Sequence, residues 1–357
     1  MSHHFDYPQD ERLDISDVFC FAGASDSDGP RTVFGMNASP TYGTAWDPVG
    51  YYELKLDTDR DYVENITWRF TFPADSAGTQ HVQVAELTGS EATDRDAAGT
   101  IITPPNAPLS EVLNLPHGIK IFAGQRRDPF FNYIPFPVAV TKALANGTFP
   151  DLAALFPPTD DFLNTSVRSV LVEVPVGVTG PGPLNYWGTT AIYDQGHSTW
   201  LQLQRGAGPN VTTFWDFTKG SAQTNINATT PTDDLAGRPA NPCTGPASGV
   251  WGQMRDQVAA VVRAGETYDQ GIHGRPTPEA YGAWVADTLL PNVLRFIPGT
   301  NALWDPWHGI QNGKGLTENV GDNVTRMVLN QDFTSGLTQP SPLLDYFPYV
   351  SPPPPAS

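Results

Sequence analysis

Proline and glycine constrain the fold of this chain more than any other feature of its sequence. The 357 residues include 35 Pro and 33 Gly, about a fifth of the total, and these show no repeat period. Such residues favour turns and interrupt long helices and central strands. We therefore predict short strands joined by many turns and long ordered loops. The 39% of hydrophobic residues is sufficient to give these strands a buried core.

Runs with strand-like patterns dominate the first two thirds of the sequence. Val63–Phe72 alternates Ile66, Trp68 and Phe70 with polar or charged residues, which is typical of a half-buried strand. Most of the predicted strands are bounded by Gly, Pro, Asn or Asp, as short antiparallel strands usually are. The others are Arg31–Asn37, Tyr51–Leu56, Val82–Leu87, Ile119–Ala123, Val167–Val174, Trp187–Tyr193, Trp200–Arg205 and Val211–Phe217.

Helical periodicity is found mostly in the last third. Met254–Ala264, Pro278–Leu294 and Glu318–Leu329 carry apolar residues at helical spacing. We therefore predict a mainly β fold, an antiparallel sandwich or barrel-like core with a few packed helices, mostly in the C-terminal third. One β-rich domain is expected over residues 1–350, with its helical part at about 250–330. A disordered Pro-rich tail is expected at 351–357.

The acidic balance of the chain limits the partners it can bind. The sequence carries 38 Asp and Glu against 20 Lys and Arg, a formal net charge of −18. Such a surface repels nucleic-acid phosphates and anionic lipid headgroups, so we predict neither nucleic acid nor a membrane as a partner. A divalent cation suits the surplus carboxylates, although the same charge also serves solubility alone.

Cysteine usage and the N-terminal residues predict a cytoplasmic location. Cys20 and Cys243 are too few for a disulfide framework, and Cys20 lies in an apolar run that predicts a buried thiol. The first residues lack the basic region and apolar core of a secretory signal. No stretch approaches the ~18 apolar residues of a membrane span.

The first candidate site is an acidic turn between two predicted strands. Asp57, Asp59 and Asp61 alternate along it and Glu64 follows, which is the way calcium loops gather hard oxygen ligands. Arg60 stands at the centre of the turn, where such loops have Gly. The alternative is a solvated hairpin turn held by local hydrogen bonds between side chains and backbone.

The second candidate is an N-terminal cluster of His3 and His4 with Asp14 and Asp17. Two imidazoles with a carboxylate can hold a first-row transition metal. Adjacent residues of a strand point to opposite faces, so only one of the two His would be a ligand and the other would serve acid–base chemistry. The alternative is a flexible start that binds nothing.

The third candidate is the segment Phe122–Phe131. Gly124 permits a close backbone approach, Arg126 offers a bidentate fork for an oxygen, and Asp128 can accept a proton or bind a cation. The alternative is an Arg126–Asp128 ion pair that closes a loop over a Phe-rich core.

The fourth candidate is His308, which can move protons near neutral pH. Trp304, Asp305 and Trp307 precede it, and Lys314 follows soon after. The alternative is that this His and its Trp neighbours serve packing.

Several motifs that carry specific chemistry are missing from the sequence. GxSxG, GxGxxG, a P-loop, HExxH, CxxC and CxxCH do not occur. We therefore predict no nucleotide cofactor and no redox cofactor, and serine hydrolysis has no positive support.

Ordered motifs along nearly the whole chain resemble a bacterial family catalogued as domain of unknown function 4331. The segment most specific to that family is Phe122–Phe131. Other matching segments are Ser2–His3, Asp14–Phe21, Tyr52–Asp61, Val63–Phe70, Leu171–Pro175, Trp187–Thr190, Trp200–Arg205, Asn312–Asp322 and Phe347–Pro353. The family has no general activity, so the resemblance implies no particular reaction.

This chain departs from the family pattern at a few positions. We expect no signal peptide of the usual kind, because the first residues lack its basic and apolar regions, and His4 and Phe5 stand where the family has Arg and Glu. Arg168 replaces a typical His, and Asn319 replaces an acidic residue. If the family binds a cation through those groups, the resemblance implies that this chain has changed ligands.

Two functions follow as hypotheses. The first is a metal- or acid/base-dependent enzyme for a small, largely apolar metabolite of a bacterial specialised pathway, of lyase, isomerase, cyclase or hydrolase type. It would use a divalent ion, either calcium or a first-row transition metal. The predicted catalytic residues are His3, His4, Asp17, Arg126, Asp128 and His308, and the predicted metal ligands are His3, His4, Asp14, Asp17, Asp57, Asp59 and Asp61. The second is a non-enzymatic, cation-stabilised β-rich binding or scaffold protein.

Overall fold

Every strand pairing within the described residues is antiparallel. The computed structural model describes residues 11–27, 29–38, 45–216, 226–339 and 342–354. Its strands are β1 Ile15–Asp26, β2 Gly29–Ala38, β3 Tyr51–Asp57, β4 Ile66–Thr71, β5 Gln83–Thr88, β6 Thr100–Ile101, β7 Val112–Asn114, β8 Lys120–Arg127, β9 Ser166–Pro175, β10 Leu184–Asp194, β11 Thr199–Gly206, β12 Leu294–Phe296, β13 Leu303–Asp305 and β14 Ile310–Asn312. Its helices are α1 Pro135–Asn146, α2 Val176–Thr179, α3 Val211–Asp216, α4 Gly249–Ala264, α5 Pro278–Leu289 and α6 Val320–Leu329.

Two large sheets form a sandwich. The first sheet has the strand order β1-β2-β9-β8-β7, and the second has the order β11-β10-β3-β4-β5-β6 with β12 paired to β10. Strands β13 and β14 form a small separate hairpin. This architecture confirms the predicted antiparallel β fold with packed helices, several of which lie in the C-terminal part.

Alternating side chains of the two sheets build the core between them. Phe34 of β2 lies with its ring centroid 5.8 Å from Trp68 of β4 and 5.1 Å from Tyr186 of β10. The Tyr186 hydroxyl donates a 3.0 Å hydrogen bond to the carbonyl of Gly35 in the opposite sheet. The period-2 pattern thus places alternate residues of each strand in one apolar layer.

The outer faces of both sheets are covered as well. On the first sheet, Phe19 and Leu171 pack with Phe347 and Tyr349 of the C-terminal segment. On the second, Arg69 donates hydrogen bonds to the carbonyls of residues 94, 95 and 97 and is buried beneath them. The prediction of a half-buried strand within Val63–Phe72 is therefore wrong. The loop that contains residues 94–97 also buries the face of this strand that carries the polar side chains.

Buried carboxylates on these outer faces are held by cations. Glu53 is fully buried on the second sheet and pairs with Arg69, Arg95 and Lys55 at 2.8, 3.2 and 3.4 Å. Burial by itself would raise the pKa of Glu53, but Lys55, Arg95 and Arg69 outweigh it and lower this pKa to about 2. Glu53 therefore stays ionised inside the protein.

Glu173 holds the equivalent position on the first sheet. Its carboxylate accepts hydrogen bonds from Arg31 at 2.8 Å, Lys120 at 2.7 Å and the Tyr349 hydroxyl at 2.5 Å. The Tyr349 hydroxyl also accepts a 2.7 Å bond from the amide of Ala24. These contacts attach the C-terminal segment to the outer face of the sheet.

The region around residue 211 differs from the prediction. Val211–Phe217 was predicted as a strand, but Val211–Asp216 forms helix α3. The β-branched and aromatic composition favours a strand locally, whereas Val211, Phe214 and Trp215 are buried at a spacing that fits a helix. Tertiary burial therefore decides this element. Helix α1 was not predicted at all.

The helical C-terminal part follows the predicted pattern with shifted ends. Helix α5 ends at Leu289 because Pro291 follows, and Leu294 already belongs to β12. The predicted tail begins at Ser351, which is buried and whose carbonyl accepts a 3.0 Å bond from the amide of Arg127. Residues 352–354 follow without regular structure, and residues 355–357 lie outside the described ranges. Within these ranges, none of the helices combines the length and apolar character that crossing a membrane requires.

We expect Gly35→Ala to lower the free energy of unfolding by about 1–3 kcal/mol, because overpacking a tight core is destabilising. A Cβ at this position would lie 2.1 Å from a ring carbon of Phe19, which is completely buried and faces Gly35 across the strand pair. Gly182→Ala is the matched control, since a Cβ there meets nothing within 4 Å. Urea unfolding measures both variants, and equal free energies would contradict the assigned packing.

Candidate functional site

An open pocket lies beside the start of β1, at one edge of the sandwich. Its cavity volume is about 130 Å³. Its lining comes from residues 14–18, from parts of the segments Asp128–Val138 and Gly206–Thr213, and from the side chains of Phe162 and Lys314. Two of the predicted sites, the N-terminal aspartates and Asp128, therefore meet in one place.

An ion pair between Asp17 and Lys314 forms part of the wall of this pocket. The backbone of Lys314 exchanges hydrogen bonds of 3.0 and 3.1 Å with Cys20 of β1, which fixes the position of the lysine. Its Nζ then donates to Asp17 Oδ1, and only 4% of the lysine side chain and 12% of the aspartate side chain are exposed. The same carboxylate oxygen accepts a 2.9 Å bond from the amide of Val18. The pair is partly desolvated and rigidly placed.

Asp128 is a buried carboxyl of the pocket whose pKa lies well above its ordinary value. It is 3% exposed, and within the described part of the chain it accepts hydrogen bonds from the Phe130 amide at 3.0 Å and the Thr165 hydroxyl at 3.5 Å. Burial raises the pKa of Asp128 to about 7, and the negative charge of Asp17 adds to this rise while Lys314 opposes it. The group can therefore exchange a proton near neutral pH.

Asp14 has a similar environment on the other side of the pocket. Gln204 donates a 2.5 Å hydrogen bond to its carboxyl and accepts one of 2.6 Å from the amide of Ile15. Burial raises the pKa of Asp14 to about 7, although the bond from Gln204 favours the ionised form. The pocket thus contains two carboxyl groups that titrate near neutrality and one fixed ion pair.

The remaining wall of the pocket is largely apolar. Phe130 and Phe162 pack edge to face with centroids 4.8 Å apart, and Ile134, Pro137 and Val138 continue this wall. An apolar wall opposite a few polar groups is the usual composition of a small-molecule site.

Arg126 does not line this pocket. Its guanidinium lies 4.0 Å from the ring centroid of Phe122, and its Nε is buried with no hydrogen-bond partner among the residues that the structure describes. Burial lowers the pKa of this arginine. No ion pair joins Arg126 to Asp128 among the described contacts, so the predicted alternative of a loop-closing pair is wrong.

His308 lies apart from the pocket as well. It is 46% exposed in its side chain, and its Nδ1 lies 2.7 Å from Asp305 Oδ2. Trp304 and Trp307 beside it are buried, as the packing alternative expected for the aromatic residues.

The acidic turn forms a separate cluster. Asp57 is fully buried and accepts bonds from the Tyr62 amide at 2.7 Å and the Asn185 side chain at 2.8 Å. Asp59 and Asp61 are exposed. The three aspartates bring one ligand atom each to within 4.8 Å of one another, and no other group of His, Cys, Asp or Glu in the described ranges does so. Asp57 itself also holds the turn, which agrees with the hairpin alternative.

His3 and His4 lie outside the described residues. The structure therefore describes only Asp14 and Asp17 of the predicted N-terminal metal site. Lys314 follows His308 closely in the sequence, but no motif predicted a role for it. Only its pairing with β1, about 300 residues earlier in the chain, brings it to Asp17.

Comparison with known proteins assigns no family. No protein-family model matches this chain, and no curated protein matches it. The resemblance to domain of unknown function 4331 stays a prediction.

We expect the stability of the protein to decrease as the pH rises from about 4 to 7. Asp128 has a folded pKa of about 7 against an ordinary value of 3.8, so the folded state binds the extra proton in this window. Ionising the buried carboxyl then favours unfolding. When the pH rises from 5 to 8, the free energy of unfolding of the native chain should fall by about 2–3 kcal/mol more than that of Asp128→Asn.

Urea unfolding at the two pH values measures this difference. Asp14 titrates in both proteins, so its contribution cancels in the comparison, and Glu53 titrates well below this window. Identical pH dependence of the two proteins would show that Asp128 ionises normally.

Proposed function

We propose that this chain is an enzyme that transfers protons to and from a small, largely apolar metabolite. One observation carries the proposal. Asp128 is a buried carboxyl with a pKa of about 7 that lines an open cavity with aromatic walls. General acids and bases work best when their pKa lies near the working pH, and burial is the usual way to raise a carboxyl into that range.

The other polar groups suit supporting roles. The Asp17–Lys314 pair supplies fixed charges of both signs at the pocket, so charge that develops in a bound molecule can be stabilised without reorganisation. Asp14, with its raised pKa, offers a second proton carrier. Two acid–base groups in one pocket are compatible with isomerase, lyase, cyclase or hydrolase chemistry. A bacterial specialised pathway remains the proposed context.

The proposed role of Asp128 predicts solvent-isotope exchange. A panel of small neutral cyclic compounds is incubated with the protein in D2O, and deuterium uptake is measured by mass spectrometry. We expect uptake by at least one compound, and Asp128→Asn should reduce its rate by about 100-fold or more, since a general base contributes about 10²–10⁴-fold.

Glu111→Gln is the matched control, because Glu111 is an exposed carboxylate outside the pocket. Circular dichroism checks that both variants are folded. Uptake that persists in Asp128→Asn at the native rate would overturn the assigned role.

A second candidate function rests on the acidic turn. The ligand atoms of Asp57, Asp59 and Asp61 already lie within 4.8 Å of one another, a spacing that could accommodate a calcium ion. In this role the protein would be a cation-stabilised β scaffold that holds a ligand or partner.

The scaffold function predicts that calcium raises the melting temperature, since an ion that binds only the folded state stabilises it. At a concentration 100 times the dissociation constant, the expected gain is about 2.7 kcal/mol. The double variant Asp59→Asn with Asp61→Asn should abolish the shift and still fold, because both residues are exposed. Glu111→Gln with Asp269→Asn removes the same charge from exposed positions elsewhere. If both double variants lose the calcium-induced rise in melting temperature equally, calcium acts by general charge screening and the scaffold function is contradicted.

A further inference from the structure

Two polar side-chain atoms of residues that line the pocket have no hydrogen-bond partner among the described residues. The Ser16 hydroxyl and the Asn210 side-chain nitrogen are both buried, and neither makes a hydrogen bond in the described part of the chain. Both residues line the same pocket as Asp128 and Lys314. A buried donor without an acceptor is unfavourable, so each of these atoms favours a bound group that accepts a hydrogen bond from it.

Local backbone irregularities place these two side chains. The register of β1 against β2 shifts between Ile15 and Asp17, so Ser16 sits at an irregularity of the ladder. Such bulges are frequent next to functional sites because they re-aim a side chain. Asn210 has a positive φ of 56° at the turn before α3, and its carbonyl accepts a 2.9 Å bond from the Phe214 amide. Asn tolerates this left-handed conformation better than most residues.

The chemistry of these atoms selects the group that they bind. The amide nitrogen of Asn can only donate, and the hydroxyl of Ser can donate as well. One oxygen with two lone pairs satisfies both. The aspartates of the pocket would repel a ligand carboxylate, and the Lys314 charge that could attract it is already paired with Asp17. A neutral carbonyl oxygen therefore fits best.

We infer that the pocket binds a neutral, largely apolar ketone or aldehyde, whose carbonyl oxygen accepts hydrogen bonds from Ser16 and Asn210. This inference rests on the proposed proton-transfer function and names its substrate class. Two donors at a carbonyl oxygen stabilise the negative charge that develops there when the neighbouring carbon loses a proton.

The corresponding reaction balances without a further reagent. The Asp128 carboxylate takes a proton from the carbon next to the carbonyl. The electrons of the broken C–H bond form a C=C bond, and the carbonyl π electrons move onto the oxygen, which becomes an enolate held by Ser16 and Asn210. Asp128 then returns the proton to the same carbon or, in an unsaturated compound, to the conjugated carbon. The net result is exchange or isomerisation.

Three probes of the same ring size test the recognition: cyclohexanone, cyclohexanecarboxylate and cyclohexylammonium. Ligand-detected NMR titration gives the dissociation constant of each with the full chain. We expect cyclohexanone to bind at least tenfold more tightly than either charged probe. Ser16→Ala and Asn210→Asp should each weaken cyclohexanone binding at least fivefold, because each removes one donor.

Asn106→Asp is the matched control, since Asn106 is exposed and has a similar positive φ of 53° outside the pocket. It should leave all three dissociation constants unchanged. Equal affinities for the three probes, no binding of cyclohexanone, or full binding by both pocket variants would each overturn the inference.

Deuterium uptake by cyclohexanone in D2O, followed in the same samples, separates this inference from the proposed function. Selective ketone binding that depends on Ser16 and Asn210 but gives no uptake would uphold the recognition and refute proton transfer. Uptake that depends on Asp128 but not on these two donors would uphold proton transfer and refute the recognition.

Discussion

Burial of charged side chains on the outer faces of the two sheets is the constraint on which the rest of this structure depends. A sandwich needs only its inner faces covered, but here the loop at 92–97 and the C-terminal segment cover part of each outer face too. Charged residues on those faces are consequently buried and must be paired. Glu53 contacts four polar side chains and Glu173 contacts three, and several of these contacts hold the covering segments in place.

The packed interior also explains where the pocket lies. The space between the sheets is filled by aromatic and aliphatic side chains, so a cavity forms at the edge, where β1 begins and helices α1 and α3 pack nearby. The Asp17–Lys314 contact closes this edge by joining residues 297 positions apart in the chain. A few polar groups fixed in a largely apolar pocket at the margin of a packed core have the precise placement that acid–base chemistry requires.

The candidate site was predicted only in part. Asp14, Asp17 and Asp128 were candidates from separate sequence motifs, and all three line one pocket of the folded chain. Arg126 and His308 lie elsewhere, since Arg126 stacks on Phe122 and His308 pairs with Asp305 at an exposed turn. Ser16 and Asn210 carry no sequence signal, because a hydroxyl or an amide becomes informative only when its surroundings leave it unpaired.

The sequence by itself determined the antiparallel β class, the position of most strands and the apolar side of each, because alternation is a local property of neighbouring residues. Helix α1 was also readable in principle, since Pro135 begins it, Gly147 ends it, and its buried residues recur at helical spacing. Tertiary structure alone decided that Val211–Asp216 is a helix, that the outer faces are covered, and that Asp17, Asp128 and Lys314 share a pocket. These features depend on which distant segments pack together, and local sequence patterns do not specify long-range packing.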